Sequence, residues 1–314
     1  LLSFLSFIFC SSMIEFSQLK LNTPLQPIKE SLFKKHDLNL FIKRDDLIHR
    51  HISGNKWRKL KYNFEDCINK NKNRIITFGG AFSNHVVALS YAAKLYNIKS
   101  LAFIRGEKEY AKNSSLSFAI ENGMQLIFIS RSEYRLKERS LIFNKTFLKN
   151  DYYVEEGGAN LLGEKGVSEI IKEININYDY LVSAVGTGTT VFGISKNNNK
   201  QTVGILILKN QAFIKNLIIN QKHKGIKIFS SYHFGGYAKY TKELIDFILS
   251  FKEKHNIILD PIYTGKALFG IYDLTKRGFF KKGSTIIFLH TGGAQGILGF
   301  NEMNNTRLRL LDNI

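Results

Sequence analysis

Short apolar segments alternate with amphipathic segments along most of this 314-residue chain, and glycine-rich turns follow several of the apolar ones. Strands that alternate with helices predict parallel sheets with helices on both faces. Such sheets bind ligands where their strands reach their carboxyl ends. Four glycine-rich turns lie at such ends, at residues 79–83, 157–158, 186–190 and 291–293. The sequence therefore predicts an α/β fold with mainly parallel sheets and a ligand site at these turns.

Hydrophobic periodicity assigns the individual elements. The predicted strands are residues 38–44, 74–78, 100–104, 125–129, 180–185, 203–208, 226–229, 257–263 and 285–290. The predicted helices are 84–97, 115–121, 133–148, 167–174, 241–255 and 265–277, with a further helix after residue 56. The two prolines in residues 23–27 predict an extended segment, and residues 152–159 are predicted to form a loop.

The net charge of +19 invites comparison with nucleic-acid-binding proteins. The lysines are scattered along the chain and accompany asparagines, as in residues 70–74 and 196–200, so they form no concentrated binding face. We expect weak attraction to polyanions but no specific nucleic-acid partner. A nucleic-acid binder, an alternative supported by charge alone, would show tight and salt-dependent binding.

Cys10 and Cys67 are too few for a disulfide framework and form no metal motif, so we expect a cytoplasmic protein without a metal site. Residues 1–12 are apolar, but they lack the basic region and cleavage site of a signal peptide and are too short to span a membrane. We therefore expect them to be a non-native extension before Met13. A truncated signal or a lipid anchor at Cys10 is the alternative.

A lysine stands near the start of a predicted helix, in the run 53–60 that contains Gly54, Asn55 and Lys56. Gly54 and Asn55 are turn and cap residues, so Lys56 falls in the first helical turn. The positive end of the helix dipole disfavours a cation there, whereas a neutral amine or a Schiff base suits the position. A solvated lysine on a basic helix is the alternative, because Arg58, Lys59 and Lys61 follow.

The turn Gly186-Thr187-Gly188-Thr189-Thr190 follows an apolar strand and opens a helix. Backbone N–H groups at such a helix start, with hydroxyls beside them, bind anions. The turn matches neither the P-loop nor the dinucleotide fingerprint, so a phosphate monoester fits best. A glycine-rich turn without a ligand remains open for this loop taken alone.

Three further polar turns lie at other predicted element ends. Ser83 or Asn84 can cap a helix, Tyr263 could stack on an aromatic ligand, and His290 suits a structural hydrogen bond. A lysine at a helix start, a phosphate loop, a Ser-Asn turn and a stacking tyrosine together are what pyridoxal 5′-phosphate requires.

The sequence resembles a known family in six blocks: Lys43-Arg44-Asp45-Asp46-Leu47, residues 53–60, Gly79-Gly80-Ala81-Phe82-Ser83-Asn84-His85, residues 186–190, Asp260-Pro261-Ile262-Tyr263-Thr264-Gly265-Lys266 and His290-Thr291-Gly292-Gly293. They are similar to blocks of the 1-aminocyclopropane-1-carboxylate (ACC) deaminase/D-cysteine desulfhydrase family. These are fold-type II pyridoxal-phosphate enzymes related to the tryptophan synthase β chain. The resemblance runs in order from about residue 24 to residue 300.

The resemblance implies a role for each matching residue. Lys56 would be the Schiff-base lysine and the acid/base at the substrate α-carbon, and Asn84 would bond the cofactor ring oxygen. Tyr263 would stack near the ring, and Ser83 would face the substrate. Tyr237 matches a second active-site tyrosine. Residues assigned to the cofactor phosphate and the ring nitrogen are Gly186, Thr187, Gly188, Thr189, Thr190, Thr264 and Thr291.

Two departures bear on the activity. Thr264 and Thr291 stand where ACC deaminases have glutamate and leucine, and they match the D-cysteine desulfhydrases. A carboxylate would favour a protonated ring nitrogen, whereas hydroxyls leave it neutral, which suffices to expel a thiolate. Thr189 stands where the family usually has glycine, so its Cβ is expected to crowd the phosphate loop and weaken cofactor binding.

We therefore expect a lyase that converts a small D-amino acid, D-cysteine above all, to pyruvate, ammonia and hydrogen sulfide. ACC deaminase is the alternative in the same class, and a non-catalytic pyridoxal-phosphate-binding protein is the alternative in another. The resemblance implies two three-layer domains, 13–61 with 161–314 and 62–160, with the cofactor in the cleft between them. It also implies a homodimer without a membrane partner.

Overall fold

Two separate sheets organise the protein. The computed structural model describes residues 19, 22–52, 54–209, 225–306 and 308, so residues 1–12 and Ser53 lie outside the described residues. One sheet has six strands and the other has four. The predicted α/β class with mainly parallel sheets is confirmed.

Of the eight strand pairings among the described residues, five join strands that are consecutive in the chain, and three join strands that are not: β2 (Asn39–Lys43) with β10 (Thr285–Leu289), β7 (Tyr180–Val185) with β10, and β3 (Arg74–Gly80) with β6 (Asp151–Tyr153).

The six-stranded sheet has the order β1-β2-β10-β7-β8-β9. Its strands are β1 (Leu25–Ile28), β2 (Asn39–Lys43), β7 (Tyr180–Val185), β8 (Gln201–Leu206), β9 (Ile226–Phe229) and β10 (Thr285–Leu289). Only the pair β1–β2 is antiparallel among these ladders; the others are parallel. The carboxyl ends of β7 and β10 therefore lie side by side, which brings the turns at residues 186–190 and 291–293 together.

The four-stranded sheet has the order β5-β4-β3-β6 and is parallel throughout. Its strands are β3 (Arg74–Gly80), β4 (Lys99–Arg105), β5 (Met124–Ile129) and β6 (Asp151–Tyr153). These strands lie within the range 62–160 that was predicted for the smaller domain. The domain boundaries themselves stay a prediction.

Helices cover both sheets. In chain order they are α1 (Ser31–Lys35), α2 (Asn55–Asn69), α3 (Asn84–Leu95), α4 (Ser114–Glu121), α5 (Arg131–Leu136), α6 (Leu141–Thr146), α7 (Leu161–Ser168), α8 (Ile170–Glu173), α9 (Thr189–Asn197), α10 (Lys242–His255), α11 (Thr264–Lys276) and α12 (Gly296–Asn304). Within the described ranges, no helix is long and apolar enough to cross a membrane.

Each sheet is buried on both faces. On β10, Ile286 and Phe288 pack into one apolar cluster, and the alternate residues Ile287 and Leu289 pack into another. The four-stranded sheet does the same, since Ile75 and Ile76 belong to different clusters. Burial on both faces is what helices on both sides of a parallel sheet produce. It gives each sheet three layers.

Two element predictions are wrong. Residues 257–263 form no strand, because the Asp260 carboxylate accepts the backbone N–H groups of Ile262, Tyr263 and Thr264 and holds the segment in a turn. The single helix predicted at 133–148 is two helices, α5 and α6. Between them Lys137 adopts a positive φ of 51°, and Ser140 caps α6.

Two short strands differ from the expected segments in a simpler way. The extended segment at 23–27 contributes β1, whose Pro27 is tolerated because β1 lies at the sheet edge. The predicted loop 152–159 overlaps β6, a strand of three residues that is too short for a periodic signal.

A buried network of charged side chains joins α2 to the end of β2 and to α8. Arg58 is 2% exposed and donates to Asp45 at 2.7 and 2.8 Å and to Glu173 at 2.6 and 2.9 Å. Lys43 lies 2.7 Å from Glu173, and Thr23 donates to Asp45 at 2.7 Å. Burial opposes the charge of Arg58, but the two carboxylates outweigh it and raise the pKa of the guanidinium. The basic run after Lys56 is therefore not a solvated helix face.

Replacing Asp45 with alanine should lower the free energy of unfolding by about 3–5 kcal/mol, because it leaves the Arg58 charge buried with half of its partners. Urea unfolding measures the loss. The matched control is Asp246→Ala, which breaks an exposed pair with Lys242 and should cost at most about 0.5 kcal/mol. Equal losses in the two variants would contradict a stabilising role for the buried network.

Candidate functional site

A cavity of about 630 Å³ lies between the two sheets, at the carboxyl ends of β3, β7 and β10. Most of the residues that the sequence singled out line its wall: Lys56, Ser83, Asn84, Gly186, Thr187, Gly188, Thr190, Tyr237, Tyr263 and Thr291. Thr189 and Thr264 do not line it. Their assignment to the cofactor therefore has less support than that of the other residues.

The start of α2 packs directly against the turn after β10. Gly54 has a φ of +61°, and a Cβ placed on it would lie 1.9 Å from the carbonyl oxygen of Thr291. The backbone N–H of Asn55 donates to that same oxygen at 3.3 Å. A residue with a side chain does not fit at position 54, so glycine is required both for its conformation and for this contact.

Lys56 points into the cavity from the first turn of α2. Its Nζ donates to Asn55 Oδ1 at 3.0 Å. Desolvation lowers its pKa to about 8, against the opposing effect of Asp260. A lysine with a lowered pKa supplies a neutral amine near physiological pH, which is the nucleophilic form.

The turn at residues 186–190 joins β7 to α9. Gly188 carries the left-handed φ of +92°, and Thr189 begins the helix with helical backbone. Thr189 thus has no left-handed backbone, and its hydroxyl lies 2.9 Å from that of Thr187. The expected weakening of cofactor binding by its Cβ stays a prediction. Asn55 donates to Thr190 Oγ1 at 2.9 Å and so ties this turn to α2.

Ser83 and Asn84 open α3 at the end of β3. The Ser83 hydroxyl accepts from the N–H of Val86 at 3.4 Å and caps the helix. Asn84 Oδ1 is buried and has no hydrogen-bond partner. A buried acceptor without a partner costs free energy unless a bound group donates a hydrogen bond to it, so Asn84 Oδ1 fits a ligand that carries a hydrogen-bond donor.

Tyr237 and Tyr263 approach each other across the cavity. Their ring centroids are 6.4 Å apart, with an interplanar angle of 74°. Tyr263 lies against Gly186, where an added Cβ would be 3.2 Å from the ring. Burial raises the pKa of Tyr263 well above its usual value, so it stays protonated. The Tyr237 hydroxyl lies 3.4 Å from the carbonyl oxygen of Phe82, on the opposite side of the cavity.

The two threonines assigned to the ring nitrogen have different surroundings. Thr264 is fully buried, donates its hydroxyl to Asp260 Oδ2 at 2.6 Å and accepts from the Asp260 N–H at 2.9 Å. Its hydroxyl is therefore occupied within the turn. Thr291 lies on the cavity wall and is the better candidate for a ring-nitrogen contact.

Lys59 and His85 are among the wall residues that were not assigned a role from the sequence. Lys59 is 4% exposed, and burial together with the charge of Lys56 holds its pKa well below the usual range. It lies three residues after Lys56, a spacing that places both side chains on one helix face and could have revealed it.

His85 is the second of these residues. Thr77 donates to the carbonyl of Val154 at 2.8 Å, so His85 Nε2, 2.9 Å away, carries the proton of their shared bond. Burial and the charges of Lys56 and Lys59 lower the pKa of His85 to about 3, so the ring is neutral. Its Nδ1 is buried without a partner.

These residues fit pyridoxal phosphate on structural grounds. The helix start at 186–190 offers N–H groups for a phosphate, and Lys56 offers an amine for the aldehyde. Asn84 offers an unsatisfied buried amide oxygen beside them.

Comparisons with known proteins agree with this fit. The model of the family described as pyridoxal-phosphate-dependent enzyme matches residues 16–292. A Pyrococcus abyssi protein whose name assigns it provisionally to 1-aminocyclopropane-1-carboxylate deaminase is 31% identical over 306 residues, covering 89% of this chain and 92% of the relative. The bifunctional D-cysteine desulfhydrase/1-aminocyclopropane-1-carboxylate deaminase, mitochondrial, of Arabidopsis thaliana is 31% identical, covering 82% of this chain and 73% of the relative.

Solved structures give the same result. The crystal structure of an ACC deaminase homologue has a TM-score of 0.76 at 28% identity and covers 97% of this chain and 99% of its own. An L-serine ammonia-lyase from Rhizomucor miehei has a TM-score of 0.65 at 14% identity, covering 90% of this chain and 98% of its own, which shows a likeness of fold alone.

Fold and site together define a pyridoxal-phosphate-dependent enzyme of fold-type II. Within that class, the chain belongs to the ACC deaminase/D-cysteine desulfhydrase family.

Cofactor-free protein mixed with pyridoxal phosphate and then reduced with borohydride should carry the label on Lys56. Because the neutral amine attacks the aldehyde, the labelling rate should rise with pH and reach half its maximum near the Lys56 pKa of about 8. Peptide mass spectrometry locates the label. Lys56→Arg is the control and should remain unlabelled at this position, whereas labelling of Lys59 in the unaltered protein would contradict the assignment.

Proposed function

We propose that this protein is a lyase that performs α,β-elimination on a small D-amino acid with a β leaving group. D-Cysteine and water would give pyruvate, ammonia and hydrogen sulfide. The proposal depends on Thr291, whose position on the cavity wall supports a hydroxyl, and not a carboxylate, beside the cofactor ring nitrogen.

The hydrogen bonds of Asp260, a buried carboxylate near the cavity, also support a hydroxyl and not a carboxylate beside the ring nitrogen. Asp260 is 1% exposed, and its two oxygens accept from the N–H groups of Ile262, Tyr263 and Thr264 and from the Thr264 hydroxyl. Its acceptor sites are therefore occupied within the turn. A ring nitrogen that meets a hydroxyl stays neutral, which suffices for expelling a thiolate but gives a weaker electron sink.

The other residues have separate roles in the proposal. Bound pyridoxal phosphate supplies an aldehyde for the substrate amine and a ring that delocalises the electrons left at the α-carbon. Lys56 Nζ accepts the α-proton, for which a pKa of about 8 is well matched to neutral pH. Ser83 and the start of α3 hold the substrate carboxylate, since a helix N-terminus binds anions.

ACC deaminase is the second candidate, because the Pyrococcus abyssi relative and the Arabidopsis thaliana relative both carry this activity in their names. It would convert the cyclopropane substrate to 2-oxobutanoate and ammonia.

We also infer a cytoplasmic homodimer without a specific nucleic-acid partner, supported by the family resemblance and by the scattered lysines.

Purified protein with pyridoxal phosphate should release sulfide and pyruvate from D-cysteine, and Lys56→Ala should abolish both. The competing activity is measured as 2-oxobutanoate released from the cyclopropane substrate. Release of 2-oxobutanoate without sulfide would favour the deaminase. Neither product, from a protein that binds the cofactor, would contradict both candidates.

Thr291→Val should lower kcat for D-cysteine about tenfold, equivalent to about 1.4 kcal/mol, because it removes the hydroxyl beside the ring nitrogen. Thr275→Val is the matched control: Thr275 is also buried, and its hydroxyl has no hydrogen-bond partner, so kcat should not change. Steady-state kinetics on both variants measure the effect, and an unchanged kcat in Thr291→Val would remove the main support for the proposal.

A further inference from the structure

We propose that Lys266 is a positioning residue that clamps the loop at residues 233–238 and thereby places Tyr237 at the cavity. The importance of Tyr237 for turnover rests on the proposed function, whereas the clamp itself does not.

The loop has an unfavourable backbone. Four of its residues have positive φ: Phe234 at 51°, Gly235 at 93°, Gly236 at 120° and Ala238 at 54°. Phe234 and Ala238 carry side chains, for which this conformation is costly. Such a segment persists only where surrounding contacts hold it.

Lys266 supplies those contacts from α11. Its side chain is fully buried, and its Nζ donates to the carbonyl oxygens of His233 at 2.9 Å and Gly236 at 2.7 Å. The same two carbonyls also accept backbone N–H groups, from Gly236 within the loop and from Lys239 directly after it. Lys266 therefore holds both turns of the loop at once.

The amine is suited to this task in either protonation state. A charged amine has three N–H groups and a neutral one has two, and two carbonyls accept from it. A buried lysine is costly to desolvate, and its bonds to the two carbonyls offset part of that cost.

The clamp also connects the two tyrosines. Tyr263 stands at the N-terminus of α11, one turn before Lys266, and Tyr237 follows Gly236 directly. Holding the loop on α11 therefore fixes the 6.4 Å separation of the tyrosine rings. Lys266 acts on the cavity through Tyr237 and does not itself line it.

The test replaces Lys266 with methionine, which keeps the length of the side chain and removes its donors. Hydrogen exchange of the holoenzyme should become about tenfold faster at the amides of residues 234–238 and stay unchanged elsewhere. Lys276→Met, an exposed lysine on the same helix, is the control and should leave the loop unchanged. Unchanged exchange in the loop of Lys266→Met would overturn the proposal, as would faster exchange across the whole protein.

A double-mutant cycle separates positioning from general destabilisation. If Lys266 acts through Tyr237, adding Tyr237→Phe to Lys266→Met should lower kcat no further, whereas independent effects would multiply. Should Lys266→Met fail to fold, Lys266→Gln, which keeps one donor group, should show an intermediate rate of loop exchange; exchange equal to that of the unaltered protein would then overturn the clamp. The exchange measurement needs no turnover, so a protein inactive on D-cysteine would refute the proposed function and leave this test intact.

Discussion

The contact between Gly54 and the backbone of Thr291 determines how the cavity is assembled. It leaves no room for a side chain, and the N–H of Asn55 is bonded to the same carbonyl. Asn55 then reaches Thr190 with its amide nitrogen and Lys56 with its amide oxygen. One short segment thus joins the amine, the anion-binding turn and the turn after β10. Moving α2 away would separate all three.

The buried charges around α2 explain why this segment can stay in place. Arg58 lies two residues after Lys56 and is held by Asp45 and Glu173, which come from opposite directions along the chain. Such a network is costly to desolvate and does not by itself make a protein stable. Its geometry instead pairs Arg58 with one carboxylate on each side, and in this orientation of α2 Lys56 lines the cavity.

Much of the fold and the cavity could be predicted from sequence because the signals were local. An apolar strand followed by a glycine-rich turn, as at residues 186–190, is typical of the ligand-binding edge of a parallel sheet. Arg58 and Lys59 show the limit: whether a basic residue is buried depends on partners such as Glu173 and Glu164, which lie more than 100 positions away. The segment 257–263 was mistaken for a strand because an apolar pattern does not reveal that Asp260 captures the neighbouring N–H groups.

The bond from Tyr237 to Phe82 has a consequence for how this site can diversify. Its acceptor is a main-chain oxygen, which every amino acid provides. The identity of residue 82 can therefore change over evolutionary time without removing the bridge across the cavity. Since Phe82 also lines the wall, the same position can alter which side chains a substrate is allowed to carry. Selection can thus change substrate preference at this position while the hydrogen bond from Tyr237 is preserved.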